Sequence, residues 1–328
     1  MRYLITGATG FIGPYLVREL VSLGHSCRCL VHSSAKVECL VESGVELIEG
    51  DITNKDTLKG IASGMDGIFH LATLGHMYNF QASPRMFEEV NVQGTINIIN
   101  EALEAGVKKI IHCSSVAAMG ISRDVPANEE SECFPHHAYG KSKLHAEKEV
   151  LGLVHDKNLP AVIVRFSMVY GPGDRRDILK LIRLAKKCLI PKIGKRPKLT
   201  PLIHIDDAVD GLLAAMERGK AGQIYLITNS QSEPFDILVR IIQEALGVSS
   251  MSMPVPEWVA LNAASVIEWL SNIIGKTPTV TRKNIESTLA DRVFSIEKAQ
   301  RELGFEPRVD PEKGLKDTVL WYIKNGWI

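Results

Sequence analysis

Apolar residues along the chain fall into two alternating kinds of run. Short, nearly continuous stretches rich in Val, Ile and Leu read as strands: RYLIT (2–6), SCRCLV (26–31), GVELIEG (44–50), GIFHLA (67–72), KKIIHCSS (108–115) and AVIVRF (161–166). Between them, over 12–24, 56–63, 85–105 and 140–155, apolar positions recur every three or four residues, the period of one helix face. Strands without polar alternation are buried on both sides, and their alternation with helices supplies the crossovers. The pattern therefore predicts an α/β fold, a doubly wound parallel sheet with helices on both faces. After Phe166 the regularity breaks at the YGPGDR turn. A helix near 176–188, a basic Pro-bearing loop and HIDDAVDGLLAAMERG follow, then helices over 234–247 and 258–274 and two more in SIEKAQRELGFEP and DPEKGLKDTVLWYIKNGWI. These boundaries predict an α/β domain over 1–168, rejoined by about 202–229, and a smaller, mainly helical region from 169–201 and 230–328.

Composition narrows the class. The 328 residues, 45% hydrophobic and 23% charged, suffice for a full core. Lys plus Arg number 38 and Asp plus Glu 38, so no global basic field draws nucleic acid. Six cysteines without a CxxC pair or zinc-type His spacing predict neither a disulfide framework nor a metal, and suit a reducing cytosol. The opening MRYLITGATG has no long apolar region and is read as mature sequence from Met1. The stretch Val255 to Ile274 carries Glu257, Asn262, Glu268 and Asn272, so no membrane span is expected, although peripheral contact stays open.

Residues 6–13, TGATGFIG, stand directly between a strand and a helix, with Gly7, Gly10 and Gly13 at three-residue intervals. The first glycine permits a tight turn, the second lets backbone N–H groups approach a pyrophosphate, and the third lets the helix pack close to the strand. This Rossmann turn, with its GxxGxxG spacing, resembles the extended short-chain dehydrogenase/reductase family, also called the NAD-dependent epimerase/dehydratase family. GDI at 50–52, HLA at 70–72 and NVQGT at 91–95 resemble further motifs of that family. The resemblance implies cofactor contacts at Gly7, Thr9, Gly10, Phe11, Ile12, Gly13, Asp51, Ile52, Leu71, Ala72, Asn91, Ser114, Tyr139, Lys143, Phe166 and Met168. At the end of the second strand an NAD enzyme places a carboxylate for the ribose 2′-OH. Here the chain reads Val31, His32, Ser33, Ser34, Ala35, Lys36, with no carboxylate before Glu38. His32, Ser33 and Lys36 suit a 2′-phosphate, which favours NADP over NAD.

The family's YxxxK occurs as YGKSK, which puts Tyr139 and Lys143 on one helix face. A phenol is a poor base at neutral pH, but an ammonium about 4 Å away is worth roughly 4 kcal/mol at an effective dielectric near 20. The pair follows Ser115 by 24 residues, and Ser115 ends the fifth strand, where ligands of doubly wound sheets collect. The resemblance implies that Ser115 holds the substrate oxygen, Tyr139 transfers the proton and Lys143 supports it and the nicotinamide ribose. Ser114 is the second choice for the hydroxyl. The chemistry is alcohol/ketone interconversion coupled to hydride transfer.

Nucleotide-sugar members of the family carry an asparagine and an arginine where this chain has Met168, in RFSMVYGPG, and Thr200, in RPKLTPLIHIDD. The C-terminal run TRKNIESTLADRVFSIEKAQRELGFEP resembles the 3β-hydroxysteroid dehydrogenase and dihydroflavonol reductase branches. A dehydrogenase or reductase for a steroid-like or flavonoid-like substrate is therefore favoured, with an NDP-sugar epimerase or dehydratase retaining NAD as the alternative and a non-catalytic NADP sensor as a minor one. Expected substrate contacts are Ser115, Tyr139, Met168 and Thr200. Arg282 reaches either the substrate or a surface ion pair. The basic run Lys180, Arg183, Lys186, Lys187, Lys192, Lys195, Arg196 and Lys198 is read as a solvated face or an anion site. The apolar run from Trp258 to Ile273 is a buried core helix, or else a lid or membrane-surface contact. His136 and His137 read as loop residues, and Asp206 or Asp207 as a helix cap. The resemblance also implies a homodimer packed through the helices near 85–105 and 140–155.

Overall fold

The structure is a computed structural model that describes the chain apart from residues 36, 42–43, 76–81, 176, 191, 195–197, 249–254, 275–281, 283–284 and 286–288, and the side chains at 39, 41 and 272. Six strands form where the apolar runs predicted them: β1 Arg2–Thr6, β2 Ser26–Val31, β3 Glu46–Glu49, β4 Gly67–His70, β5 Lys109–Ser115 and β6 Ala161–Phe166. They pair in parallel in the order 3-2-1-4-5-6, and a seventh strand, Ile224–Ile227, adds itself beside β6. The order reverses between β1 and β4, so a crevice opens at the carboxyl ends of those strands.

Alternate residues of the strands feed two cores. On one face Ile5, Phe69, Ile111 and Val164 pack with Leu16 and Val17 of α1 (Ile12–Ser22) and with Leu212. On the other, Leu4, Ile68, Ile110 and Ile163 pack with Ile98, Ile99 and Val150. Ile98 and Ile99 belong to a helix that begins as α3 (Pro84–Phe87, after the short α2, Glu38–Val41), passes through a π-helical turn at Glu88–Gln93 and continues as α4 (Gly94–Glu104). Val150 belongs to α5 (Ala138–Lys157). The helix expected over 56–63 is a 3-10 turn at Lys55–Leu58, because Gly60 and Gly64 both take φ +72° and end it.

The remaining elements are β7 (Met168–Tyr170), α6 (Asp177–Lys186), β8 (Leu199–Thr200), β9 (Leu202–His204), α7 (Ile205–Arg218), β10 (the seventh strand), β11 (Glu233–Pro234), α8 (Phe235–Leu246), α9 (Glu257–Ile273), α10 (Glu297–Leu303) and α11 (Pro311–Lys324). A third core joins Ile178, Ile182, Leu238, Ile242, Val319 and Tyr322 from α6, α8 and α11. β7 pairs with β9 and β8 with β11, which brings Met168 opposite Leu202 and Thr200 opposite Glu233.

Three expectations need correction. The cap of α7 is His204, whose Nδ1 accepts from the Asp206 N–H at 3.3 Å. Asp207 is buried and instead accepts from the N–H groups of Arg308 and Val309, tying the C-terminal segment to α7. Two cations of the basic run, which contains no carboxylate of its own in the sequence, meet carboxylates of distant elements: Lys192 lies 3.1 Å from Asp236 and Lys198 3.7 Å from Glu257. Lys195 and Arg196 lie outside the described residues. Finally, α9 is not a core helix: Ala264 is buried, but Trp258 is 68% and Trp269 63% exposed, with Val266, Leu270 and Ile273 also exposed. Of the large apolar residues on α3, α4 and α5, only Met86 is exposed. Among the described residues no helix is long and apolar enough to cross a membrane.

Candidate active site

β1 ends at Thr6 and the chain turns at Gly7, where φ is +71° and a Cβ would lie 2.6 Å from the backbone N of Ala72. Both facts exclude any other residue without movement of the β4 end, Leu71 and Ala72. The Gly10 N–H closes the turn onto the Gly7 carbonyl at 2.9 Å. At Gly13 a Cβ would lie 2.3 Å from the Ala8 carbonyl oxygen, so α1 packs directly on the turn. The helix starts at Ile12 after Phe11, with no side-chain cap and no acidic residue in its first turn. Its first N–H groups and its dipole therefore suit an anion, and the cradle of Gly7, Thr9 and Gly10 fits the pyrophosphate of a dinucleotide. Tyr15 then ties α1 to the turn after β7 by donating to the Pro172 carbonyl at 2.7 Å.

At the end of β2, His32 and Ser33 are exposed, and His32 Nδ1 lies 3.0 Å from Ser34 Oγ. Lys36 is outside the described residues. Asp51 approaches from the next loop, with its Oδ2 at 3.7 Å from His32 Nε2 and its Oδ1 accepting from Thr53 N and Oγ1, both at 2.8 Å. Ile52 is buried, and its carbonyl accepts from Asn97 at 2.8 Å.

A buried polar chain connects this turn to α5. The Ala72 N–H donates to Thr6 Oγ1, which lies 2.7 Å from His70 Nδ1. His70 Nε2 lies 3.0 Å from Thr95 Oγ1, and that hydroxyl donates to the Asn91 carbonyl. These directions assign the proton of His70 to Nε2. Burial, with the Lys143 ammonium adding to it, pushes His70 down to about 3, so it is neutral. The Asn91 side chain accepts from Leu74 N at 2.7 Å and donates to Ser142 Oγ at 2.9 Å, and Ser142 donates to the Tyr139 carbonyl. Asn91 sits in the π-helical turn and is 1% exposed, so it braces α5 from within.

Ser115 lies at the end of β5, and Tyr139 and Lys143 lie on the first turns of α5, which packs against the turn that follows it. Ser115 Oγ accepts from the Ala117 N–H at 3.1 Å, starting a 3-10 turn over Val116–Ala118. α5 docks on that turn through Gly140, where a Cβ would lie 2.4 Å from the Ala117 carbonyl. The helix is capped by His137, whose Nδ1 accepts from the Gly140 N–H at 2.9 Å. The His137 ring also stacks on Tyr139, with centroids 6.2 Å apart and planes at 11°, and Phe87 stands 6.3 Å away on α3. Tyr139 is half-buried, with its N-terminal position on α5 fixed from both sides. Lys143 follows one turn later, 2% exposed, and its Nζ donates to the Cys113 carbonyl at 2.6 Å. Burial pushes its ammonium down, and the negative charge of Glu147 opposes that shift.

Ser114 turns the other way. Its hydroxyl donates to Glu147, which also accepts from Arg165 Nε at 3.0 Å and Nη2 at 2.7 Å. Phe166 is buried in the core at the end of β6, and Met168 and Thr200 are half-buried on two separate strand pairs, β7 with β9 and β8 with β11. Arg282 is exposed, and its N–H donates to Glu268 of α9 at 3.3 Å. Gly140, Glu147 and Arg165 were not singled out in the sequence, and His137, read there as a loop residue, is the cap of α5. The Gly following the tyrosine in YGKSK is the one local signal that α5 makes a close approach there.

A model of the NAD dependent epimerase/dehydratase family matches residues 3–228. A UDP-glucose 4-epimerase of Vibrio cholerae is 28% identical, over 98% of this chain and 95% of its own. The 4-hydroxy-2-methyl-3-oxo-4-farnesyl-3,4-dihydroquinoline-1-oxide ketoreductase of Stigmatella aurantiaca is 27% identical, over 96% of this chain and 95% of its own. The crystal structure of gox2253 matches with a TM-score of 0.85 at 34% identity, covering 99% of this chain and 98% of that one. The chain belongs to the NAD dependent epimerase/dehydratase family, the extended short-chain dehydrogenase/reductases, and is an NAD(P)-dependent enzyme of that type.

Proposed function

We propose that the protein is an NADP-preferring dehydrogenase or reductase that interconverts a secondary alcohol and a ketone on a steroid-like or flavonoid-like body. Overall similarity does not separate this from sugar epimerisation, since the ketoreductase and the epimerase stand at 27% and 28% identity. The observation that carries the reading is on the substrate side. Met168 on β7 offers a thioether and Thr200 on β8 a short hydroxyl, at the two positions where the family's nucleotide-sugar enzymes carry an amide and a guanidinium. At the β2 end, His32 and Ser33 without a neighbouring carboxylate on that strand suit a 2′-phosphate.

In this mechanism the nicotinamide, when bound, exchanges a hydride with the substrate carbon. Ser115 Oγ orients the substrate oxygen, and Tyr139 gives or takes its proton. Lys143 keeps the phenol acidic and contacts the ribose, while the Asn91–Ser142 chain fixes the helix turn that bears Tyr139. The substrate is held by 169–201 and 230–328 against the part formed by 1–168 and 202–229. A homodimer in a reducing cytosol completes the reading.

Mass spectrometry of the dinucleotide released on denaturation, with NADP and NAD titrations of the stripped protein, tests the cofactor. NADPH-dependent reduction of steroid and flavonoid ketones tests the chemistry. The Tyr139→Phe variant is expected to lose about 10²- to 10⁴-fold in kcat while binding NADP as the parent does. Firmly retained NAD with epimerisation of a UDP-sugar, or full turnover by Tyr139→Phe, refutes the reading.

A further inference from the structure

Among the described residues, Arg165 and Arg292 each have a guanidinium nitrogen enclosed by protein, in very different surroundings. Arg165 is met by both oxygens of Glu147. Arg292 has no such partner: its Nε is enclosed without a hydrogen bond, and among the described residues no carboxylate pairs with it. Burial alone acts on its protonation, pushing it down with no opposing charge. An enclosed, unpaired donor on a charged group is uncommon in native structures, where ordered water, an ion or a ligand meets it.

The backbone around Arg292 ties it to both sides of the candidate site. Its N–H donates to the Leu199 carbonyl at 3.1 Å, its carbonyl accepts from Ser232 Oγ at 2.9 Å, and Asp291 Oδ1 accepts from the Leu199 N–H at 3.1 Å. Leu199 belongs to β8, the strand of Thr200. On the other side Val293 accepts from the Ala127 N–H at 2.8 Å, and Phe294 packs in one cluster with Val116 and Met119, the residues that follow Ser115. The backbone at 292 is thus pinned between the strand pair expected to face substrate and the loop that carries the candidate serine. The residue as a whole is half-buried, so its enclosed Nε leads outward to a part that solvent reaches.

We propose that Arg292 is an anion-binding residue of the substrate pocket, and that the alcohol or ketone substrate carries a carboxylate. This rests on the alcohol/ketone reading above and adds a recognition group to it. A single planar guanidinium matches one carboxylate with two parallel N–H···O bonds. A diphosphate calls for more than one cation, and among the described residues of the preceding loop Lys192 and Lys198 each lie beside a carboxylate, Asp236 and Glu257.

The test uses the full-length protein with saturating NADPH and a set of keto acids, straight-chain and steroid-based, each paired with its methyl ester. The wild type is expected to prefer acid to ester by about tenfold or more in kcat/KM, the gap lying in KM. Arg292→Gln is expected to lower kcat/KM for the acid roughly 30-fold and leave the ester within about twofold, with Arg292→Lys in between. Equal treatment of acid and ester by the wild type, or equal losses on both in Arg292→Gln, overturns the assignment while leaving hydride transfer intact. The wild-type comparison decides alone should Arg292→Gln not fold. If no ketone of the set is reduced, hydride transfer on such compounds fails. Calorimetric titration of the same acids into the NADP-loaded protein then decides the site: binding weakened roughly 30-fold in Arg292→Gln supports it, and equal or absent binding overturns it.

Discussion

Replacing Arg165 by Met should destabilise the fold by about 3 kcal/mol. Arg165 is 2% and Glu147 1% exposed, so neither charge has water as a substitute partner. In the native state Glu147 accepts from Arg165 at 3.0 and 2.7 Å and from Ser114. Taking the guanidinium away leaves a buried carboxylate with one hydroxyl, a loss of the order of 3–5 kcal/mol. Against this, Arg165 Nη1 already lacks a partner, and removing it relieves about 1 kcal/mol or more, which places the expectation at the lower end. The double variant Glu147→Leu/Arg165→Met removes both charges and strands only the Ser114 hydroxyl. It should lie within about 2 kcal/mol of the parent, closer than Arg165→Met alone. Urea unfolding of the four proteins at one pH, read as shifts of midpoint at constant slope, gives the full cycle. A cost below about 1 kcal/mol for Arg165→Met, or a double variant no more stable than that single one, would refute the idea that these charges hold one another in place.

How much of this was legible beforehand follows from the range of each interaction. The glycine turn is local: strand, φ reversal and helix start lie within residues 2–13, and the sequence shows all three. The sheet is nearly as readable, because strands buried on both faces leave uninterrupted apolar runs. The tyrosine-lysine spacing was visible too, but not what positions it. His137 caps α5 by a bond three residues along the chain, but α5 is seated by Gly140 against Ala117, a contact between residues 23 apart. The partners of the basic loop lie farther away still, at Asp236 and Glu257. For α9, an apolar composition states that a surface avoids water but not which surface covers it, so core helix and exposed helix look alike in sequence. Arg292 was hidden for the opposite reason. A lone arginine carries no pattern, and its lack of a counter-charge becomes visible only once the chain is folded around it.

Two further outcomes concern buried titrating groups. In the proposed role Lys143 works as an ammonium; burial lowers its affinity for a proton, so kcat should fall as pH rises through a value below the ordinary 10.5 of a lysine. Glu147→Gln should move that alkaline limb further down, because the carboxylate charge helps Lys143 hold its proton; an upward move in a kcat–pH profile would contradict this. The other outcome concerns His112, which stands beside His70 in the row Thr6, His70, His112 across β1, β4 and β5, with rings stacked at 5.6 Å. Neither ring nitrogen of His112 has a hydrogen bond. Burial, the Lys143 ammonium and His70 hold it far below the ordinary 6.5. The unfolded chain therefore takes up a proton near 6.5 that the native state refuses, and stability contributed above 6.5 is lost as pH falls below it. Each such histidine costs about 1.4 kcal/mol per pH unit in that window. His112→Leu abolishes one of the two uptakes, so between about pH 6.5 and 4.5 the variant should lose about 3 kcal/mol less than the parent in urea unfolding. Equal acid losses in the two proteins would mean that His112 takes up its proton in the native state as readily as in the unfolded chain, and that the ammonium of Lys143 does not reach it.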